Sequence, residues 1–536
     1  MSKQLKSPFA LVIVDGWGIS QNCERNAFFL AHTPNFDALE KSFGRSELHA
    51  AGESVGLLAD EPGQPDAGHL VIGAGRIIES PAARIASAIS SGEFFNNEVL
   101  TKTISAVKSN GRALHLMGLL SDAGIHSSVG TLFALLKLAK IAGVENVYVH
   151  PILDGHDVAP RTADVYLEAL EVKMNEIGVG RIATVCGRHF AMDTSGNWGK
   201  TARVFTMLAH SEGERASDAV SAVRSSFLRG ITDEFIAPIV IESQTDLPVA
   251  TISDGDAIIF FNHKADGMRQ LAFTLAASKR ENGEFRYNIV TMVEYDPSLN
   301  VPAAFEPNKA IGGFGFNLAE KRIRNVRFAE TERFQHITAF LGSKGLSEDD
   351  AVQNNVLISR RYESIHQSDP EMGSFKLADK FIAAIESEPE TFLIANLSAA
   401  DLMASTGDLE KTIEAVQFID TCVGGMWEAI RRQRGTMIIT SSHGNFEDVR
   451  PLSGGPVRAA GTRNRVPFII AGEELRNGRV RPEGSLADIA PTVFQIIGLE
   501  PPETMSGRSL IDHRSMILKT KQESEKQKQP EKYQPE

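Results

Sequence analysis

The short apolar runs of this chain end, nearly every one, on Asp, His, Asn or Gly. "FALVIVDGW" meets Asp15, "NVYVHPILDGHD" ends at His156 and Asp157, "AIIFFNHKAD" holds His263, and "GTMIITSSHGN" closes on His443. Carboxylates and imidazoles are the groups that bind divalent metals and pass protons. Turn chemistry accounts for any single Asp, Asn or Gly at a strand end. It does not ask for five histidines, yet His126, His156, His189, His263 and His443 all follow such runs. A second kind of segment is "EPGQPDAGHLVIGAGR", residues 61–76, read as a glycine-punctuated loop running into a short apolar stretch. Loops of this kind bring backbone close to a ligand, but the tip here is Pro65, which has neither a side-chain oxygen nor an N–H.

The elements that must position these residues follow from the pattern. β-rich apolar runs alternate with longer helical stretches, which predicts a mostly parallel sheet with covering helices. In such sheets ligands bind beyond the carboxyl ends of the strands, where the Asp and His residues fall. "VGTLFALLKLAKIAG" has helical apolar spacing with Gly143 as its C-cap, and "DLEKTIEAVQFIDTCVGGMWEAIRRQRG" starts at Asp408 as N-cap. Both are structural. Residues 517–536, charged, Gln-rich and nearly without apolar side chains, are expected to be a disordered tail.

The bulk numbers set limits. The chain has 536 residues, 42% hydrophobic and 23% charged, with a formal net charge of −13. That balance speaks against nucleic acid, which needs a basic face. No stretch approaches the roughly 20 apolar residues of a membrane helix, and the apolar run near the start is too short for a signal segment. Cys23, Cys186 and Cys422 lie far apart and read as free thiols. A cytoplasmic protein without a membrane or nucleic-acid partner is expected.

Taken together, "ALVIVDGWGIS", "NAFFLAHTPNFDAL", "GHLVIGAGR", "GLLSDAGIHS", "ILDGHDVAPRTA", "GRHFAMD", "AETERFQHITAFL", "SSHGN" and "DIAPTVFQIIGLEPPETMSGRSLI" occur in this order. They resemble the cofactor-independent (2,3-bisphosphoglycerate-independent) phosphoglycerate mutases of the alkaline-phosphatase superfamily, from about residue 8 to about residue 512. The resemblance implies an α/β, two-domain alkaline-phosphatase-like fold. A phosphatase-like metal-site domain would take residues 1–80 and 314–516, with a phosphotransferase-like substrate domain inserted as residues 81–313. It also implies interconversion of 3- and 2-phosphoglycerate in glycolysis, an isomerase reaction passing through a phosphoserine activated by two Mn²⁺ ions.

Set against that chemistry, the chain departs at the reacting positions. The family loop Gly-Asn-Ser-Glu-Val-Gly-His aligns with "GQPDAGH", so the nucleophile position is Pro65; Ser54 lies upstream with nothing to bring it there. Of seven metal-ligand positions, Asp15, Asp401 and His443 remain, and Pro65, Ser405, Ser442 and Gly461 stand where ligands are lost. No cofactor is expected to bind tightly, with at most one weakly held divalent metal. Matching the substrate-handling positions are His126, Asp157, Arg188, Lys264 and Arg333, while His156, Thr194 and Gly267 replace arginines; Arg161 and Arg269 could stand in. The expectation is a homologue without catalysis, a pseudoenzyme kept for binding or regulation. Its partner would be a phosphorylated small acid or a glycolytic protein. Two alternatives stay open: an active mutase with relocated catalytic groups, and a different metal-poor enzyme using Asp15, His126, His156, Asp157, His263 and His443.

Overall fold

Strand Phe9–Val14 shows how the first half of the architecture is built. All six of its residues are buried, and they alternate between two cores: Ala10, Val12 and Val14 pack into one, Phe9, Leu11 and Ile13 into the other. A strand buried on both faces belongs in the middle of a helix-covered sheet, and its unbroken apolar run reflects that. Strands Phe392–Leu397 and Thr436–Thr440 flank it in parallel.

The computed structural model describes residues 5, 7–243, 247–279, 286–306, 313–343, 352–357, 369–450, 461–473 and 480–511. The expected tail at 517–536 lies outside them, as do residues 307–312 of the segment around the second expected domain crossing. The chain divides into two compact units: one holds Met1–Glu79 with Lys309–Ser453 and Arg458–Glu536, the other Ser80–Asn308. Among the described residues no helix is long and apolar enough to cross a membrane.

In the first unit an eight-stranded sheet runs in the order Val352–Leu357, Asn325–Glu330, Phe392–Leu397, Phe9–Val14, Thr436–Thr440, Val466–Ala471, Gly44–His49, Glu483–Ser485. Pairing is parallel except on the two sides of Val466–Ala471. The four neighbouring strands Asn325–Glu330, Phe392–Leu397, Phe9–Val14 and Thr436–Thr440 therefore point their carboxyl ends the same way. Helix Leu409–Arg432 covers one face, with Asp408 accepting from the Lys411 amide at 3.0 Å as its N-cap.

Residues 61–76 differ from the loop expected for them. Pro65–Ala74 is an α-helix. Proline fits the first helical position, where its missing N–H would have no partner anyway, and Gly75 ends the helix in the left-handed conformation (φ 61°). Glycine punctuation suggested a loop, but Gly68 and Gly73 serve close packing: a Cβ at Gly68 would sit 2.1 Å from the Ser442 carbonyl oxygen.

The second unit carries a nine-stranded sheet. Its main path runs Ala303–Phe305, Asn288–Val293, Ala257–Phe260, Leu114–Leu120, Val147–Leu153, Thr184–Gly187, Ile239–Ile241, Glu214–Ala216, with Arg181–Ile182 paired beside Val147–Leu153. It is parallel except where Thr184–Gly187 meets Ile239–Ile241. Helix Val129–Ala142 packs on it and ends at Gly143 (φ 72°).

Candidate functional site

In the first unit, four adjacent strand ends deliver one cluster. Asp15 follows Phe9–Val14, and Asn396 lies at the end of Phe392–Leu397, with Asp401 in the short helix behind it. Ser442 and His443 follow Thr436–Thr440, and Arg333 sits in the turn after Asn325–Glu330. Asp15, Asp401, Ser442 and His443 are buried to within 1%.

The guanidinium of Arg333 joins the two carboxylates. Its Nε donates to Asp15 Oδ2 at 2.9 Å and its Nη2 to Asp401 Oδ2 at 2.6 Å. The remaining carboxylate oxygens are also held. Asp15 Oδ1 accepts from Ser442 Oγ at 2.5 Å, and Asn396 Nδ2 donates to Asp15 Oδ2 at 2.9 Å. Asp401 Oδ1 accepts from Asn445 Nδ2 at 2.7 Å and from His443 Nε2 at 3.1 Å. Ser442 has one proton and gives it to Asp15, so its oxygen accepts from His443 Nδ1 at 2.9 Å. Both ring nitrogens of His443 then donate, which describes an imidazolium. Burial alone would discourage that charge, but Asp401 and Asp15 outweigh it and raise the His443 pKa. Burial likewise pushes both carboxyls up; the cations around them win and hold both below the usual range.

His69 completes the floor. Its Nδ1 donates to the Pro65 carbonyl at 2.8 Å, so its Nε2 accepts from Asn396 Nδ2 at 3.1 Å and the ring is neutral. Burial lowers its pKa to about 4. Pro65 itself presents no side-chain oxygen, and Ser54 Oγ is tied to the Ala51 carbonyl at 2.6 Å.

These residues do not fit a pair of divalent ions. A metal needs carboxylate lone pairs and a neutral imidazole nitrogen aimed at it. Here every oxygen of Asp15 and Asp401 accepts from a protein donor, and both nitrogens of His443 are donors. Gly461 adds a steric bar: its φ is +141° and a Cβ there would lie 2.0 Å from the Gly63 carbonyl oxygen. Ser405 Oγ is turned back to the Asp401 carbonyl at 3.0 Å.

In the second unit a cavity of about 500 Å³ gathers His126, His156, Asp157, Arg188, His189 and Lys264, with Thr194 and Gly267 also in its wall. Adjacent strand ends place them, as in the first unit. Arg188 is held by three side chains: Nη1 reaches Asp154 at 2.8 Å and Asp157 at 2.5 Å, and Nη2 donates to His126 Nε2 at 3.0 Å. Burial, Arg188 and Lys264 lower the His126 pKa, so that ring is neutral as well. Asp193 holds Lys200 at 3.2 Å, and Asp266 stands 3.9 Å from Lys264. His263 lies beneath, its Nε2 donating to the Gly124 and Ile125 carbonyls at 3.1 and 3.2 Å.

Of the residues expected to handle substrate, His126, Asp157, Arg188 and Lys264 thus share one cavity. Arg333 belongs to the first unit, where it bonds Asp15 and Asp401. Arg161 and Arg269 do not line the cavity; Arg269 donates to the Tyr295 carbonyl at 3.1 Å. The sequence reading passed over Asn396, Asn445, His69, Asp154, Asp193, Glu234 and Asp266. Asn396 carried a signal, since a lone amide inside the run "TFLIANL" must find a buried partner.

Two α/β units, each with its polar residues at the carboxyl ends of a central, mostly parallel sheet, put the chain in the class of two-domain α/β proteins whose sites lie at the strand ends. The family described as "BPG-independent PGAM N-terminus" matches residues 85–297. A 2,3-bisphosphoglycerate-independent phosphoglycerate mutase of Desulforudis audaxviator is 40% identical over 512 residues, spanning 94% of this chain and 99% of the relative. One of Moorella thermoacetica is 38% identical over 516 residues, 95% and 99% of the two chains. Among solved structures, Leishmania mexicana phosphoglycerate mutase at low cobalt concentration superposes with a TM-score of 0.70 at 26% identity, covering 95% of this chain and 98% of that one. The chain belongs to the family of 2,3-bisphosphoglycerate-independent phosphoglycerate mutases.

Proposed function

We propose that this chain no longer transfers phosphoryl groups and is kept for binding or regulation. Pro65 carries the reading. It occupies the position where the family resemblance puts the nucleophilic serine, it opens a helix, and its only polar atom accepts from His69. No covalent phosphoenzyme can form on a residue without a side-chain heteroatom. One hydroxyl, Ser442, does stand between Asp15 and His443, the place where a relocated nucleophile would be sought. Its full burial and its proton already given to Asp15 argue against that role.

The binding partner we favour is a protein. The cavity of the second unit sets Asp157, Asp193, Glu234 and Asp266 against Arg188, Lys200 and Lys264, and Arg188 is engaged by Asp154, Asp157 and His126. A phosphorylated small acid would meet more carboxylates than free cations there.

The test is an enolase-coupled assay with 3-phosphoglycerate and Mn²⁺, without bisphosphoglycerate, on the wild type, Pro65→Ser and Ser442→Ala. All three are expected to be silent, because a restored serine still lacks its metal ligands. Turnover by the wild type overturns the reading; its loss in Ser442→Ala would then name the relocated nucleophile.

A further inference from the structure

We infer that Arg333 is an internal cation standing where the family holds its divalent metals, so that the first unit folds without metal and its stability does not respond to metal. The inference deepens the reading above and rests on it for the identity of the emptied positions. Asp15 and Asp401 correspond, by the resemblance, to ligands of the two different metal clusters. One planar guanidinium reaches both, at 2.9 and 2.6 Å, with only 12% of its side chain exposed.

Two carboxylates this deeply buried cannot remain ionised side by side without a countercharge. The geometry shows how this chain supplies it. A guanidinium is planar, always charged and rich in fixed donors, so it spans two carboxylates that a lysine ammonium would meet as a point charge. The family lysine of "AETEK" is Arg333 here, one residue type that both bridges and neutralises. Asp15 Oδ1 is closed by the neutral donor Ser442 Oγ and Asp401 Oδ1 by Asn445 Nδ2 together with the His443 imidazolium, a second positive charge beside Arg333, while Asn396 Nδ2 shares Asp15 Oδ2 with the guanidinium. Ser442 stands where a ligand carboxylate is lost, which removes a negative charge and adds a hydroxyl proton aimed at Asp15. Loss of ligands and gain of the bridge are thus two sides of one rearrangement.

The experiment is a thermal unfolding series read by near-UV circular dichroism, each sample measured after EDTA treatment and again with millimolar Mn²⁺. Metal content is read by mass spectrometry after gel filtration. The wild-type midpoint is expected to be the same in both conditions, with no retained manganese. Arg333→Met, which leaves Asp15 and Asp401 without their bridge, is expected to lose about 5 °C in EDTA and to regain part of it with Mn²⁺. Arg333→Lys keeps the charge without the bridge, guards against misfolding, and is expected to fall between. Retained stoichiometric manganese or a Mn²⁺-raised midpoint in the wild type would overturn the inference, and so would an Arg333→Met midpoint in EDTA equal to the wild type's. Turnover stays a separate readout. A wild type that is active yet indifferent to metal sinks the proposed loss of catalysis and spares this inference; a silent one that takes up manganese does the reverse.

Discussion

His263 shows what a single buried imidazole does to this protein. Its Nε2–H is given to two backbone carbonyls and its Nδ1 has no partner, so the neutral ring is the one the fold accommodates. Burial, with smaller contributions from His126 and Lys264, lowers its pKa to about 4 from an ordinary 6.5. A histidine whose folded pKa is depressed costs nothing above pH 6.5, where both states are neutral. Below it the unfolded chain binds the proton first, and stability falls until about pH 4. Replacing it by asparagine, which keeps a donor for the carbonyls, should remove that penalty. The gap in unfolding free energy between wild type and His263→Asn is expected to narrow by roughly 3 kcal/mol between pH 7 and pH 4. Denaturant titrations at the two pH values check this, and a constant gap refutes it. At this scale the sequence was readable where residue type alone decides: Pro65 cannot be a nucleophile in any conformation. It was unreadable where partners decide. Nothing in "AETERF" says that Arg333 turns to Asp15, more than three hundred positions away, rather than to a ligand.

Helix Pro65–Ala74 illustrates the same division among elements. Proline and glycines marked its ends, yet its interior glycines looked like loop punctuation because the reason for them, a carbonyl of a distant turn, is invisible locally. In an open helix, alanine would improve on glycine by about 1 kcal/mol. At Gly68 the order reverses: a Cβ lies 2.1 Å from the Ser442 oxygen, and backbone cannot swing away as a side-chain tip can. Gly68→Ala is expected to destabilise the chain by roughly 1–3 kcal/mol, measured by urea unfolding. A stabilised variant would show that the helix and the Ser442 turn can part at little cost. Elements set by long apolar runs, such as Phe9–Val14 and Leu114–Leu120, were legible in the sequence because burial on both faces leaves one pattern. Short edge strands such as Glu214–Ala216 were missed, since three residues carry no period.

On the scale of the whole molecule, the unit formed by Ser80–Asn308 has a hydrophobic core drawn wholly from its own residues, from Ile85 to Phe305. A stretch with its own core and its own sheet is expected to fold alone. A fragment of residues 80–308 should therefore give a cooperative thermal transition and native-like circular dichroism; a non-cooperative melt would show that it depends on the rest of the chain. The alternation of strand and helix predicted a mostly parallel sheet with covering helices, and the division into two α/β domains came from the family resemblance. What the alternation could not disclose is how the charges at each set of strand ends pair, Arg333 with Asp15 and Asp401 in one unit and Arg188 with Asp154 and Asp157 in the other, because pairing is a property of folded distances.

Gly461 carries a consequence for how such a protein can change over time. The resemblance puts a histidine at this position, but here the backbone has settled at φ +141° with the Gly63 carbonyl where a Cβ would go. Reintroducing that histidine first costs stability and returns no function while Pro65, Ser405 and Ser442 remain. A route back that begins at this position therefore descends before it climbs. Under the proposed loss of catalysis, the backbone at this glycine works as a ratchet, since the histidine costs stability here and restores nothing by itself.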